Sequence, residues 1–375
     1  MTMAIEAAVL IELGWDDGWA GTFEPHAQLG RTPARVVAVH KETSIVRDAS
    51  GDRPAVVSGK FRFDAIAPSD FPAVGDWVAL EPLAAPTSAA VIATILPRRS
   101  AVRRSAGDAS RRGGGRLADE QVIVANVDIA LLVAGLDGDL NLRRLERYLA
   151  IAWSSGTAPV IVLNKMDLAD DLDARRLEVE AVAPGVPTVA ISARTGEALE
   201  QLTPHLVPGR TAVVLGSSGV GKSTLLNALL GEDRQATATV RGGDGRGRHT
   251  TRHRELFMLP TGALLIDTPG LRALEVIGAE EGVGQAFDDV EDIASGCRFS
   301  DCGHESEPGC AVRAALLDGT LSESRVAAWR KLGREAAHEA RRTDPLAAAE
   351  NRRKWKVIHK SVNDQMKRRY EEDAP

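Results

Sequence analysis

The sequence predicts three kinds of fold in one chain: an all-β unit first, an α/β unit in the middle, and a small helical unit near the end. Three observations carry that prediction. Short β-rich runs separated by turn residues fill residues 35–96; a glycine-rich loop joins an apolar strand to a helix within residues 211–229; and all three cysteines fall between Cys297 and Cys310 beside a histidine. A length of 375 residues, with 44% hydrophobic and 26% charged residues, suits two to four globular units. The formal charge of −6 supplies no global positive field, so any contact with nucleic acid has to come from local patches. No apolar run reaches membrane-spanning length, and Glu6 and Glu12 interrupt the N-terminal apolar run. The expectation is a cytoplasmic protein with no membrane partner.

Residues 1–33 form an N-terminal extension whose Trp15, Trp19 and Phe23 are expected to pack on the unit that follows. In residues 34–97 the runs ARVVAVH, SIVRD, AVVSGKFRF, GDWVAL and AAVIATIL read as the strands of a five-stranded OB-type β-barrel. Such barrels often bind RNA, although the fold alone does not imply it. Residues 98–119 are an Arg-rich linker holding Arg98, Arg99, Arg103, Arg104, Arg111, Arg112 and Arg116. Guanidiniums at that density read either as a solvated loop or as a phosphate-binding arm.

The α/β unit, residues 120–275, opens with VIVANVDIALLVA, a near-continuous apolar strand region of the kind buried in a parallel sheet. A helix over 141–153 and a strand over 159–163 lead into Asn164, Lys165, Met166 and Asp167, the pattern NKxD at a strand end. A carboxylate at Asp167 can accept two hydrogen bonds from the N1 and N2 groups of guanine, which adenine does not offer. After a strand over 187–191 come Ser192, Ala193 and Arg194; the Ala193 amide is expected on the guanine carbonyl oxygen, with Arg194 in place of the commoner lysine mattering little. Then Gly216, Ser217, Ser218, Gly219, Val220, Gly221, Lys222 and Ser223 fit GxxxxGKS, followed by Thr224. Backbone amides and the helix N-terminus cradle phosphate there, Lys222 reaches the β and γ phosphates, and Ser223 offers a hydroxyl to magnesium. RHTT within residues 246–251 lies in a Gly- and Arg-rich stretch, and a strand over 263–266 runs into DTPG. There Asp267 is expected near magnesium and the Gly270 amide near the γ-phosphate.

The order of these motifs is unusual. NKMD and SAR come before the phosphate loop, whereas ordinary GTPases place them after DxxG. Joining the old ends and cutting an exposed loop preserves the packing of a sheet, so the fold class is an α/β circularly permuted P-loop GTPase domain. The N-terminal all-β OB-type barrel precedes it.

Residues 276–345 form the third unit, a zinc-binding helical domain. Cys297, Cys302, His304 and Cys310 offer three thiolates and an imidazole, which close a tetrahedral shell around one structural Zn2+. Ser322 is placed to cap a helix running toward Arg342 and stopping before Pro345. Residues 346–375 read as a basic C-terminal helix, with Trp355, Ile358, Val362 and Met366 as a narrow apolar stripe and the basic face expected on RNA backbone.

With NKMD, SAR, GSSGVGKS, RHTT, DTPG and the Cys/His cluster in this order behind a small barrel, the chain resembles the ribosome small-subunit-dependent GTPase A family, RsgA. The resemblance implies an enzyme that hydrolyses GTP to GDP and phosphate with Mg2+, binds the immature small ribosomal subunit and its rRNA late in maturation, is stimulated by it, and leaves after hydrolysis. A monomer is expected. Leu271 follows DTPG where Ras-like enzymes place a water-orienting Gln, so intrinsic hydrolysis should be slow. The missing catalytic group is then His249, as the family suggests, or comes from the ribosome. Thr250 or Thr251 joins Ser223 and Asp267 at magnesium. Two other readings stay open on the residues alone: an RNA-binding scaffold in which nucleotide is a slow timer, and a P-loop ATPase or kinase with an accidental NKMD.

Overall fold

Asp16 opens helix α1 (Asp17–Ala27) by accepting the Trp19 amide at 2.9 Å, and the helix turns Trp19 and Phe23 inward. Trp15 and Trp19 meet Trp77 of the barrel, with ring centroids 4.7 and 6.2 Å away. The tryptophans of the extension therefore pack on the β unit, as expected from the sequence. The structure, a computed structural model, describes residues 8–40, 43–82, 89–105, 120–231, 254–268 and 280–343.

The barrel is built from β1 (Thr32–Val39), β2 (Ser44–Asp48), β3 (Gly51–Val57), helix α2 (Gly59–Asp64), β4 (Trp77–Leu80) and β5 (Ala90–Ile95). Its strands pair in the closed cycle β1–β2–β3–β5–β4–β1, with only the β3–β5 pair parallel. Closure removes the sheet edges, and small interior residues such as Ala34, Ala55 and Ala90 let five strands meet around Val36, Val46 and Ile92. The run AVVSGKFRF is not one strand. β3 stops at Val57, and Ser58 caps α2 by accepting the Phe61 amide at 3.0 Å. The local cap outcompetes the β preference of the phenylalanines and leaves Phe63 88% exposed.

The Arg-rich linker is also different from expectation at its start. Arg98 donates to both oxygens of the fully buried Asp76 at 2.8 and 2.7 Å, and Arg99 pairs with Asp16 while lying 4.1 Å over the Trp19 ring. Both side chains are engaged within the fold: Arg98 because the buried Asp76 carboxylate needs a charged partner, and Arg99 in a surface pair that ties the extension to the segment after the barrel. The linker then enters β6 (Ala101–Ser105), which pairs antiparallel with β7 (Glu120–Ala125). Arg111, Arg112 and Arg116 lie outside the described residues. The apolar run after β7 is broken at Asn126, which has φ 53° and gives its side chain to the Arg99 amide and the Gly75 carbonyl.

From there the α/β unit runs β8 (Ile129–Gly135), α3 (Leu142–Ser154), β9 (Ala158–Asn164), α4 (Leu172–Glu180), β10 (Thr188–Ala190), β11 (Thr211–Gly216), α5 (Lys222–Leu230), β12 (Glu255–Met258) and β13 (Leu264–Asp267). The spatial order is β10–β9–β8–β11–β13–β12, parallel except for β12. The phosphate-loop strand β11 thus sits centrally although it comes late in the chain. β1 pairs with β12 at Ala38 and Glu255, which makes the barrel and the α/β sheet one continuous ladder.

Where they join, Arg35 is 2% exposed and donates to the Gly75 carbonyl at 3.2 Å, the Asn126 carbonyl at 3.0 Å, the Thr211 hydroxyl at 2.8 Å and the Leu13 carbonyl. Burial lowers its pKa to about 10, so it stays charged at neutral pH.

Among the described residues four helices follow: α6 (Glu280–Ala286), α7 (Asp288–Ser295), α8 (Ala311–Leu317) and α9 (Glu323–Thr343). α6 and α9 lie against each other, and α6 lies on α3 at Gly282, where an added Cβ would overlap the Ala150 carbonyl. Ser322 caps α9 as predicted, accepting the Arg325 amide at 3.1 Å. The basic segment 346–375 lies outside the described residues. Among the described residues no helix is long and apolar enough to cross a membrane.

Candidate functional site

Because β8, β9, β11 and β13 are parallel, their carboxyl ends bring Gly135, Asn164, Gly216 and Asp267 to one edge of the sheet. Gly221 (φ 96°) starts α5, and no side chain caps that helix. The positive end of the helix at the loop favours an anion. Lys222 Nζ donates to the carbonyls of Gly216 at 2.9 Å and Ser217 at 2.5 Å, which holds the ammonium at the loop. Ser218 and Gly219 are exposed, Val220 is buried, and Ser223 and Thr224 are half-buried in the first turn of α5. Asp267 is 7% exposed at the end of β13, and the next residue, Thr268, donates its hydroxyl to the Val214 carbonyl at 3.0 Å.

The NKMD segment is tied to the phosphate loop by one side chain. Asn164, 2% exposed, donates from Nδ2 to the Val220 carbonyl at 2.8 Å and accepts the Ala193 amide on Oδ1 at 2.9 Å. A Cβ on Gly221 would overlap Asn164 Nδ2, so glycine is required there both for its φ and for this approach. The Ala193 amide, expected on a guanine carbonyl, is thus spent on Asn164, since a buried amide side chain must satisfy its own oxygen. Lys165 is left-handed (φ 65°) and pairs with Asp137, while Met166 packs against the core. Asp167 accepts the Ser192 hydroxyl on Oδ1 at 2.6 Å and the Arg194 guanidinium on Oδ2. Hydrogen bonds from Ser192 and Arg194 hold its carboxyl below the usual carboxylate range. Arg194 is therefore not neutral to the site, as its position in SAR had suggested.

The motif reading also missed Asp139 and Arg144. Ser217 donates to Asp139 at 2.7 Å and accepts from Arg144 at 2.7 Å, so the loop after β8 braces the phosphate loop. Its signal was placement: residues 137–139 directly follow a buried strand of the parallel sheet, at the edge where ligands bind. Gly270, His249, Thr250 and Thr251 lie outside the described residues.

In the helical unit Cys297, Cys302, His304 and Cys310 bring their ligand atoms within 4.8 Å of one another. Cys297 Sγ lies 3.9 Å from Cys310 Sγ and 3.4 Å from His304 Nδ1, and Cys310 Sγ lies 3.5 Å from the same nitrogen. A tetrahedral zinc shell needs about 3.8 Å between sulfurs and about 3.6 Å between sulfur and nitrogen, so the donor set fits. Backbone amides of Ala311 and Arg313 donate to Cys297 and Cys310 Sγ at 3.3 and 3.4 Å, which favours thiolates. Burial opposes ionisation of Cys297, but hydrogen bonds from the Val312 and Ala311 amides and from Cys310 and Cys302 together outweigh it and lower its pKa. Four protein donors leave no open position, so the group this site holds is structural.

The sequence model of the RsgA GTPase family matches residues 95–277. A small ribosomal subunit biogenesis GTPase RsgA from Opitutus terrae is 48% identical over 359 residues, spanning 93% of this chain and 96% of that protein. The chain belongs to the RsgA GTPase family. A family member of the same name from Streptomyces coelicolor is 45% identical over 352 residues, covering 93% of this chain and 92% of its own. Among solved structures, YjeQ from Thermotoga maritima is similar with a TM-score of 0.59 at 30% identity, over 81% of this chain and 98% of that one. YloQ, described as a circularly permuted GTPase, gives a TM-score of 0.56 at 26% identity, over 81% and 94%. Membership in the RsgA family makes this chain a GTP hydrolase that works with Mg2+, and the permuted strand order above is the family's fold.

Proposed function

We propose that this chain is a cytoplasmic, monomeric GTPase of small-subunit maturation that grips rRNA and is stimulated by the subunit. The relatives are named as small ribosomal subunit biogenesis GTPases, and that name supplies the subunit. One observation carries the site assignment: Asn164 joins the segment suited to reading guanine to the loop suited to holding phosphate.

In this reading Asp167 takes the guanine N1 and N2 donors, with Ser192 fixing its orientation. Amides of residues 216–223 and the Lys222 ammonium hold the phosphates, and Lys222 neutralises charge building between the β and γ groups. Ser223 and Asp267 would hold magnesium, with Thr250 or Thr251. When bound, the ion supplies charge to the phosphate oxygens. Hydrolysis adds a water oxygen to the γ-phosphorus and breaks its bond to the bridging oxygen, which leaves on GDP, while the water's proton passes to the released phosphate. His249 or the subunit assists that water, since Leu271 offers no polar atom to it. The basic charge of residues 346–375 suits rRNA backbone, and residues 98–119, 120–275 and 276–345 act as linker, G domain and zinc domain.

Competition binding with Asp167→Ala tests the base site: discrimination between GTP and ATP is expected to collapse, and its survival would remove Asp167 from the pocket. Cosedimentation with small ribosomal subunits, comparing GDP with a non-hydrolysable GTP analogue, tests the partner. His249→Ala should abolish subunit-stimulated turnover while GTP binding persists; unchanged stimulation would remove His249 from the mechanism.

A further inference from the structure

The carboxylate assigned above to guanine already has two donors within the chain. Ser192 Oγ sits 2.6 Å from Asp167 Oδ1, and the Arg194 guanidinium stands on Oδ2. The two partners differ in mobility. Asp167 is 12% exposed and held between strand ends, whereas Arg194 is 70% exposed on a long side chain that can swing into solvent. Each carboxylate oxygen accepts more than one hydrogen bond, so what further distinguishes the two partners is bulk. The single Ser192 hydroxyl on Oδ1 leaves space beside it for a base, whereas the planar guanidinium on Oδ2 occupies the space a guanine donor has to enter.

We propose that Arg194 is an internal competitor of the guanine base: it covers Asp167 Oδ2 when the base site is empty, leaves when guanine enters, and so limits how tightly guanine nucleotides are held. This rests on the assignment of Asp167 to guanine. GTP and GDP carry the same base, so the competition weakens both alike. It favours release of product GDP from a site whose phosphate loop would otherwise retain it, and it does not touch the hydrolysed bond. Arg194 is thus a positioning residue. Its planar fork suits a carboxylate better than a lysine ammonium would. An exposed pair of this kind shifts binding by about two- to fivefold, and salt should diminish the shift.

The test uses the full-length protein with fluorescent GDP and GTP, titrated at low and high ionic strength, for wild type, Arg194→Ala, Arg194→Lys and Asp167→Ala. Arg194→Ala is expected to tighten both nucleotides by about two- to fivefold. Steady-state turnover should show a lower KM and unchanged kcat, the gain should shrink at high salt, and Arg194→Lys should fall between. Unchanged or weaker binding by Arg194→Ala, with Asp167→Ala still abolishing purine discrimination, would overturn the competitor role while sparing the base site. If Asp167→Ala leaves discrimination intact, the base assignment itself fails, and the competitor role fails with it.

Discussion

Replacing Arg325 should loosen the attachment of the helical unit to the G domain. Arg325 is 4% exposed and donates to the fully buried Glu146 of α3 at 3.1 Å, to Asp289 at 2.7 Å, and to the carbonyls of Ala286 and Val182 at 2.7 and 3.2 Å. Its guanidinium also lies 4.2 Å over the Phe287 ring. Arg325→Met keeps much of the volume and removes every donor. Breaking a buried pair by deleting one partner costs about 3–5 kcal/mol, because the other charge stays buried. Arg143 still reaches both oxygens of Glu146 at 3.1 and 2.9 Å, but its side chain is 46% exposed and offsets only part of the loss. The expected cost is therefore about 3 kcal/mol, at the low end of that range. Urea unfolding followed by tryptophan fluorescence reads the loss, and hydrogen exchange should place it in α3 and α9. The pair Glu146→Met with Arg325→Met should recover to within about 1–2 kcal/mol of wild type, since it leaves no unpaired charge at Glu146. A single substitution costing under about 1 kcal/mol, or a double variant no better than the single, would refute the buried-charge reasoning.

Gly221→Ala should weaken GDP binding more than tenfold while secondary structure persists, because the new methyl group meets Asn164 and opposes a φ of 96°; binding within about twofold of wild type would contradict the clamp. Cys297→Ser should lower zinc content from one ion per chain, measured by elemental analysis, and lower the unfolding temperature of the helical unit; full zinc retention would exclude Cys297 from the shell. Asp16 has its pKa lowered to about 2 by the hydrogen bond from Arg99, against the opposing effect of burial. A lowered carboxyl pKa contributes stability that is fully present above the ordinary value of 3.8 and is lost as pH falls toward 2. Asp16 is 51% exposed, so the contribution is below about 1 kcal/mol. The difference in melting temperature between wild type and Asp16→Asn should close over that window, and a difference independent of pH would refute the pairing.

The local chemistry was legible in the residues themselves. GSSGVGKS between a strand and a helix, NKMD at a strand end and the Cys297–Cys310 spacing each depend on a short stretch of backbone, and their order along the chain already required a permuted sheet. Most strand positions in the α/β unit followed from apolar runs, but β12 (Glu255–Met258) was not read, and the run VIVANVDIALLVA proved to be two strands broken at Asn126, the first of them paired with β6 outside the parallel sheet. The partners of the polar side chains were not legible. Arg98 and Arg99 looked like a free basic run and instead meet Asp76 and Asp16; Asn164 looked like a ligand group and serves as the clamp on Val220; Arg194 looked neutral and stands on Asp167. Glycines, caps and helix N-termini act over a few neighbouring residues, so the sequence determines them. A long charged side chain, by contrast, pairs with whatever carboxylate or carbonyl the packed fold has stripped of water, and that neighbour is decided only when distant strands and helices come together.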